Sequence, residues 1–184
     1  MKPDPRAAAV AKQRREQFDE LYDRHSREVW ALSYSRWQDA ELAQDIMQEA
    51  FLRLWKQIEV GEDIQNPRAW LLRVARNLAE DNAKSSFRRN GTQPPEVMNG
   101  VGSGESQPLD KMEREEGFAQ IRALLDELPP GDRDILTLRY GLDYDAPQIA
   151  DVLGINVTAV HMRLSRARQR LAERLTALGV NQSP

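Results

Sequence analysis

The stretch from Asp145 to Leu175, DAPQIADVLGINVTAVHMRLSRARQRLAERL, limits what this chain can fold into, because it carries the start and stop signals of two helices joined by a tight turn. Asp145 can cap the first helix, Gln148 three residues on completes a capping box, and Pro147 falls in the first turn, where its missing N–H is not needed. Gly154 suits the left-handed conformation of a helix stop, and Asn156 is then placed to cap the second helix. Ala150, Gly154 and Val160 fall where a helix-turn-helix requires a close crossing, a sharp turn and a buried anchor.

A period of about 3.6 residues puts Val160, Leu164, Ala167 and Leu171 on one face of the second helix. Thr158, Met162, Ser165, Arg166 and Gln169 fall on the other. Arg163, Arg166, Arg168, Arg170 and Arg174 stand against a single acid, Glu173, in a chain whose net charge is −3. A charge run alone reads as a solvated helix. Joined to the turn signals, the local reversal of charge reads as a segment laid along phosphates.

The 184 residues, 40% of them hydrophobic, suffice for one ordinary domain or two small ones. With no cysteine, a disulfide framework, a thiolate zinc site and a cysteine nucleophile are excluded. His25 and His161 are the two histidines and lie far apart, which argues against a metal cluster or a Ser/His/Asp relay. No catalytic site, metal or cofactor is expected. The first residues, MKPDPRAAAVAKQRREQF, lack the apolar run of a signal peptide, and no stretch has the length of a membrane span. A cytoplasmic location is the expectation.

Residues 1–11 read as a disordered lead-in, with Pro3 and Pro5 breaking any early helix. From Lys12 to Trp37 the apolar spacing is helical, with His25 on the apolar stripe as a core or boundary residue. Asp39 can cap the next helix, whose outer arc holds Asp45, Gln48, Glu49, Leu52 and Lys56. A leucine among acids there suits docking, with a solvated face as the plainer reading. After a loop over Glu59–Gln65, Asn66 caps a third helix with Pro67 at its first position, running to about Phe87. Its inward face is read as Trp70, Leu71, Val74, Ala75 and Leu78, with Trp70 assigned to the core. Six basic residues stand against Glu80 and Asp81 between Gln65 and Asn90, a second basic face.

Residues 90–109, rich in Gly, Pro, Ser, Asn and Gln without periodicity, read as a flexible linker. A helix follows from Asp110 to Leu128, broken by Pro129, Pro130 and Gly131. Another runs from Asp132 to Tyr140 and is stopped by Gly141. The expected fold is all-α: two small helical bundles, over 12–89 and 110–178, joined by the linker, the second containing the helix-turn-helix.

This arrangement resembles the extracytoplasmic-function (ECF) sigma factors, two-domain bacterial factors that give RNA polymerase its promoter choice. DIMQEAFLRLW from Asp45 and NPRAWLLRVARNLAEDNAK from Asn66 are similar to their region two. LPPGDRDILTLRYGLD and IADVLGINVTAVHMRLSRARQRL are similar to their region four. The resemblance implies a transcription initiation factor with no enzymatic activity of its own. Its implied partners are core RNA polymerase, promoter DNA as duplex and as single non-template strand, and an anti-sigma factor.

By the same resemblance, Asp45, Gln48, Glu49 and Leu52 would dock on the polymerase. The Glu59–Gln65 loop would capture a flipped base of the −10 element, with Arg73, Arg76, Asn77 and Lys84 nearby. At the −35 element His161, Met162, Ser165 and Arg166 would reach base edges, while Arg163, Arg168 and Arg170 suit phosphates. Amides near Asn156–Thr158 would add a phosphate contact. The chain departs from the common pattern in having Asn156, Ala159, His161 and Met162 where proline, threonine, a basic residue and serine are frequent, and Lys84 where arginine is. The competing readings are a stand-alone helix-turn-helix regulator, which leaves residues 45–84 without a role, and an interaction protein whose basic helix is incidental.

Overall fold

The computed structural model describes residues 5–90, 123 and 125–177, which are helical with no strand among them. They group into two compact units, Met1–Tyr34 with Glu41–Gln93, and Ser35–Ala40 with Pro94–Pro184. Residues 91–109 of the expected linker and most of the helix expected over 110–128 lie outside the described residues.

Helix α1 runs Pro5–Trp37, so the helix expected from Lys12 starts seven residues earlier, inside the stretch read from sequence as lead-in. Pro5 opens the helix instead of breaking it: a first-turn proline loses no hydrogen bond there, and Ala7, Ala8, Ala9 and Ala11 are the strongest helix formers. Helix α2 runs Ala40–Val60, directly after Asp39. Its buried stripe, Ala43, Ile46, Met47, Ala50, Phe51, Leu54 and Ile58, meets α1 through aromatic edges. Phe18 lies 5.4 Å from Trp55, and Tyr22 lies 4.8 Å from Phe51, centroid to centroid, both edge-to-face. Each such pair adds about 0.5–1.5 kcal/mol beyond burial. They fix the register of the two helices.

At the end of α2, Gly61 takes φ +77 and its N–H donates to the Ile58 carbonyl, which turns the chain out into the loop. Helix α3, Pro67–Asn90, starts as expected, with the Ala69 N–H donating to Asn66 Oδ1 at 3.1 Å. Its buried line is Ala69, Leu71, Leu72, Ala75 and Ala79. Trp70, Val74 and Leu78 are half-buried, so the inward face is rotated from the one expected and Trp70 is not core.

In the second unit, α4 runs Pro130–Leu136, starting two residues before Asp132 because Pro129 and Pro130 take the N-cap and first positions, where proline is tolerated. Thr137–Gly141 is then π-helical, with the Leu142 N–H reaching the Thr137 carbonyl at 2.9 Å. That wider turn replaces the plain helix expected to Tyr140. It precedes Asp143 at φ +54 and a buried Tyr144, whose N–H donates to the Leu138 carbonyl at 2.9 Å.

The helix-turn-helix forms as its signals predict. Helix α5 is Ala146–Leu153, with the Asp145 carboxylate accepting from the Gln148 N–H at 2.8 Å and Gln148 Oε1 accepting from the Asp145 N–H at 2.9 Å. Gly154 is left-handed at φ +64. Helix α6, Val157–Ala177, is capped by Asn156 Oδ1, which accepts from the Ala159 N–H at 2.7 Å. Val160, Leu164 and Ala167 pack inward with Ile135, Leu138, Tyr144, Ile149 and Val152, which sets the opposite side of α6 outward.

Candidate functional site

Three surfaces carry the residues singled out from the sequence, one on α2, one on α3 and one on α6. On α2 the inward stripe sends Asp45, Gln48, Leu52 and Lys56 to solvent along one arc. Leu52 is 55% exposed, an uncovered apolar side chain on a helix whose other large apolar groups are mostly buried. Glu49 is half-buried and accepts from Arg53 Nε at 2.8 Å. Glu49 thus comes with a tethered cation, and Asp45 is the outer acid of the arc.

On α3, residues 70, 73, 77 and 84 recur at spacings of three, four and seven, so they share one line of the helix. Arg73 and Asn77 are exposed on that line and Trp70 is half-buried at its start. This places an aromatic ring at the head of a polar and basic track, immediately after the Asn66 cap and the loop. The side chain of Lys84 lies outside the described residues. Arg76 is turned partly inward, 4.0 Å from Glu80. The loop before α3 is tied internally, with Gln65 Nε2 donating to Asp63 Oδ2 at 2.5 Å.

Where α3 meets α1, Arg68 Nε and Nη2 donate to the two Glu28 oxygens at 2.8 and 2.7 Å. His25 Nδ1 lies 3.7 Å from Glu28 Oε2, beyond hydrogen-bond distance, and has no hydrogen-bond partner among the described residues. Burial holds the His25 pKa below its usual 6.5, the attraction of Glu28 opposing that shift and the charges of Arg68 and Arg24 adding to it. This cluster fixes the start of α3 and has no exposed group poised for chemistry.

On α6 the outward side presents Thr158, His161, Met162, Arg163, Ser165, Arg166, Arg168 and Gln169, all exposed. Arg170, read from sequence as a phosphate contact, donates to Asp132 Oδ2 at 2.6 Å, and Arg174 pairs with Glu127 at 2.9 Å. Arg163, Arg166 and Arg168 form no ion pair among the described residues, so the open positive charge sits on the N-terminal two-thirds of the helix. The inter-helix acids that select it, Asp132 and Glu127, lie about forty residues away in sequence, and no local signal announces them.

Val60 at the end of α2 and Tyr140 on the π turn are the most exposed of the described large apolar residues and are not singled out from the sequence. Val60 falls in the stretch that reads as the Glu59–Gln65 loop, and Tyr140 at the end of a helix whose inward residues read as Ile135, Leu136 and Leu138. Among the described residues no group of three or more acids or histidines could hold a metal ion, and no helix is long and apolar enough to cross a membrane.

Residues 21–90 match the family model for sigma-70 region 2, and residues 118–171 match that for sigma-70 region 4. The ECF RNA polymerase sigma factor SigL of Mycobacterium tuberculosis H37Rv is 33% identical over 161 residues, which is 87% of this chain and 89% of SigL. The RNA polymerase sigma factor CnrH of Cupriavidus metallidurans is 27% identical over 179 residues, 93% of each chain. CnrH in complex with the cytosolic domain of CnrY superposes at a TM-score of 0.64, with 24% identity over 93% of this chain and 95% of that one. RpoE bound to the anti-sigma factor NepR from Bartonella quintana gives 0.68, with 21% identity over 88% of this chain and 98% of that one. At those identities the two structures speak for a shared all-helical fold.

Proposed function

This chain belongs to the extracytoplasmic-function sigma factors, the RNA polymerase subunits that direct initiation to chosen promoters, and we propose that it divides that work among the α2 arc, the α3 line and the outward side of α6. Asp45, Gln48, Glu49 and Leu52 dock on core polymerase, the leucine supplying apolar area and the acids orientation. Trp70, Arg73 and Asn77, with Arg76 and Lys84 beside them, hold the single non-template strand at the −10 element next to the Glu59–Gln65 loop.

At the −35 element, His161, Met162, Ser165 and Arg166 face base edges, and Arg163 and Arg168 face phosphates. Arg170 joins them only by giving up Asp132. The observation that supports this division best is the contrast along α6: three arginines with no acid partner among the described residues lie on the side away from the core, directly after the capped turn. A stand-alone helix-turn-helix regulator is not favoured, since it gives no role to the region 2 match over 21–90.

The factor contributes no chemical step. Binding free energy from base capture and phosphate contacts stabilises the melted promoter, and the place of action is the cytoplasm, with the polymerase. Because RpoE is solved with an anti-sigma factor, an anti-sigma protein covering these faces is part of the reading. Run-off transcription with core polymerase tests the division: Arg163→Glu with Arg166→Glu should abolish starts that depend on the −35 element while core binding persists. Unchanged starts would refute the α6 assignment.

A further inference from the structure

Met162 stands at the middle of the outward side of α6, 51% exposed, between exposed Thr158, Ser165, Arg166 and Gln169. The fold gives it no apolar partner to seek, because the buried stripe of the same helix, Val160, Leu164 and Ala167, is complete on the opposite side. Arg163, Arg166 and Arg168 flank it with no ion pair among the described residues, so the charge that draws this side onto phosphates presses the thioether towards the floor of the groove.

A methionine sulfur accepts hydrogen bonds weakly and donates none, so Met162 cannot read the polar edge of a base. The apolar feature of the major groove is the thymine C5-methyl group. An unbranched, polarisable side chain is well suited to cover it. Arg166 lies one turn on, about 6 Å along the axis, which spans about two base-pair steps.

Resting on the reading of α6 as the −35-reading helix, we propose that Met162 is a specificity-determining residue that reads a thymine methyl, within about two base pairs of a guanine read by Arg166. The identity of the thymine is set by shape and apolar contact; that of the guanine by the bidentate fork.

The experiment uses the full chain assembled with core polymerase and a pool of promoter duplexes randomised across the −35 region. Wild type and Met162→Leu should both enrich thymine at one position, and Met162→Ser should not. Replacing that thymine by deoxyuridine, which removes only the methyl, should weaken wild-type binding about threefold to fivefold and leave Met162→Ser unaffected. Equal binding of thymine and uracil by the wild type would overturn the proposal. So would a Met162→Ser variant that keeps the thymine preference, or one that loses transcription with its DNA preference unchanged, which would set Met162 against a protein. If neither wild type nor Arg166→Ala shows any −35 preference while both still bind core polymerase, the reading of α6 itself fails and this inference with it.

Discussion

The Arg170 guanidinium lies 2.6 Å from the Asp132 carboxylate, which ties the C-terminal third of α6 to α4 and leaves the N-terminal two-thirds as its open basic surface. Arg170 is half exposed, so the pair is screened. Arg170→Ala should therefore cost only about 0.5 kcal/mol of stability in urea unfolding. Arg168→Ala should leave stability unchanged but reduce the slope of log affinity against log salt for duplex promoter DNA by about 0.9, the share of one lost phosphate contact. A binding titration at several salt concentrations separates the two residues, with the smaller slope change expected for Arg170→Ala.

Gly154 and Gly131 both have open space where a Cβ would stand, yet their substitutions should have opposite signs. At φ +64, Gly154→Ala pays backbone strain of about 1 kcal/mol with no steric relief. Gly131, near the start of α4, has ordinary helical φ, and Gly131→Ala should stabilise by about 0.4–1 kcal/mol through the unfolded chain. Thermal unfolding of the two variants should shift the midpoint down and up respectively.

Removing the carboxylate at Asp145 should cost about 1 kcal/mol, because the Gln148 N–H loses its acceptor, while the Asp145 N–H keeps Gln148 Oε1. Asp145→Asn should recover most of that loss in the same denaturant titration, since an amide oxygen still accepts from the Gln148 N–H.

His25 should make the first unit less stable in mild acid. Its folded pKa lies below the unfolded value of 6.5, so as pH falls the unfolded chain takes up the proton first. Stability is complete above about 6.5 and declines as pH falls through the folded pKa. Urea unfolding at pH 7.5 and 5.5 should show a smaller loss for His25→Gln than for wild type. Arg68→Gln removes a charge that holds the His25 pKa down, so the ring resonances in NMR should titrate at higher pH in that variant.

The features legible in the sequence were those fixed by contacts a few residues apart. Asp145 with Gln148, Asn66 with Ala69, Asn156 with Ala159 and left-handed Gly154 are all local hydrogen bonds or backbone states, and each forms as its residue types demand. The exposed sides of α2 and α6 followed from period alone. Pro5 and Pro130 misled because proline reads as a stop in a helix interior and as a start in a first turn, and only context separates the two. The π turn at Thr137–Gly141 could not be read, since the extra residue is set by where Leu138 and Tyr144 must be buried. The inward face of α3 was rotated by the same kind of tertiary choice, in which small Ala69, Ala75 and Ala79 lie buried and bulky Trp70 is left at the edge. The pairing of Arg170 with Asp132 spans 38 residues and has no local trace.

The most direct test of the account is comigration of the full chain with bacterial core RNA polymerase on gel filtration, beside a variant carrying Asp45→Lys and Glu49→Lys. The wild type should elute with the polymerase, and the variant, with its unfolding midpoint nearly unchanged, should elute alone. Equal comigration of the two would contradict the docking role of the α2 arc, and failure of the wild type to comigrate would contradict the central claim.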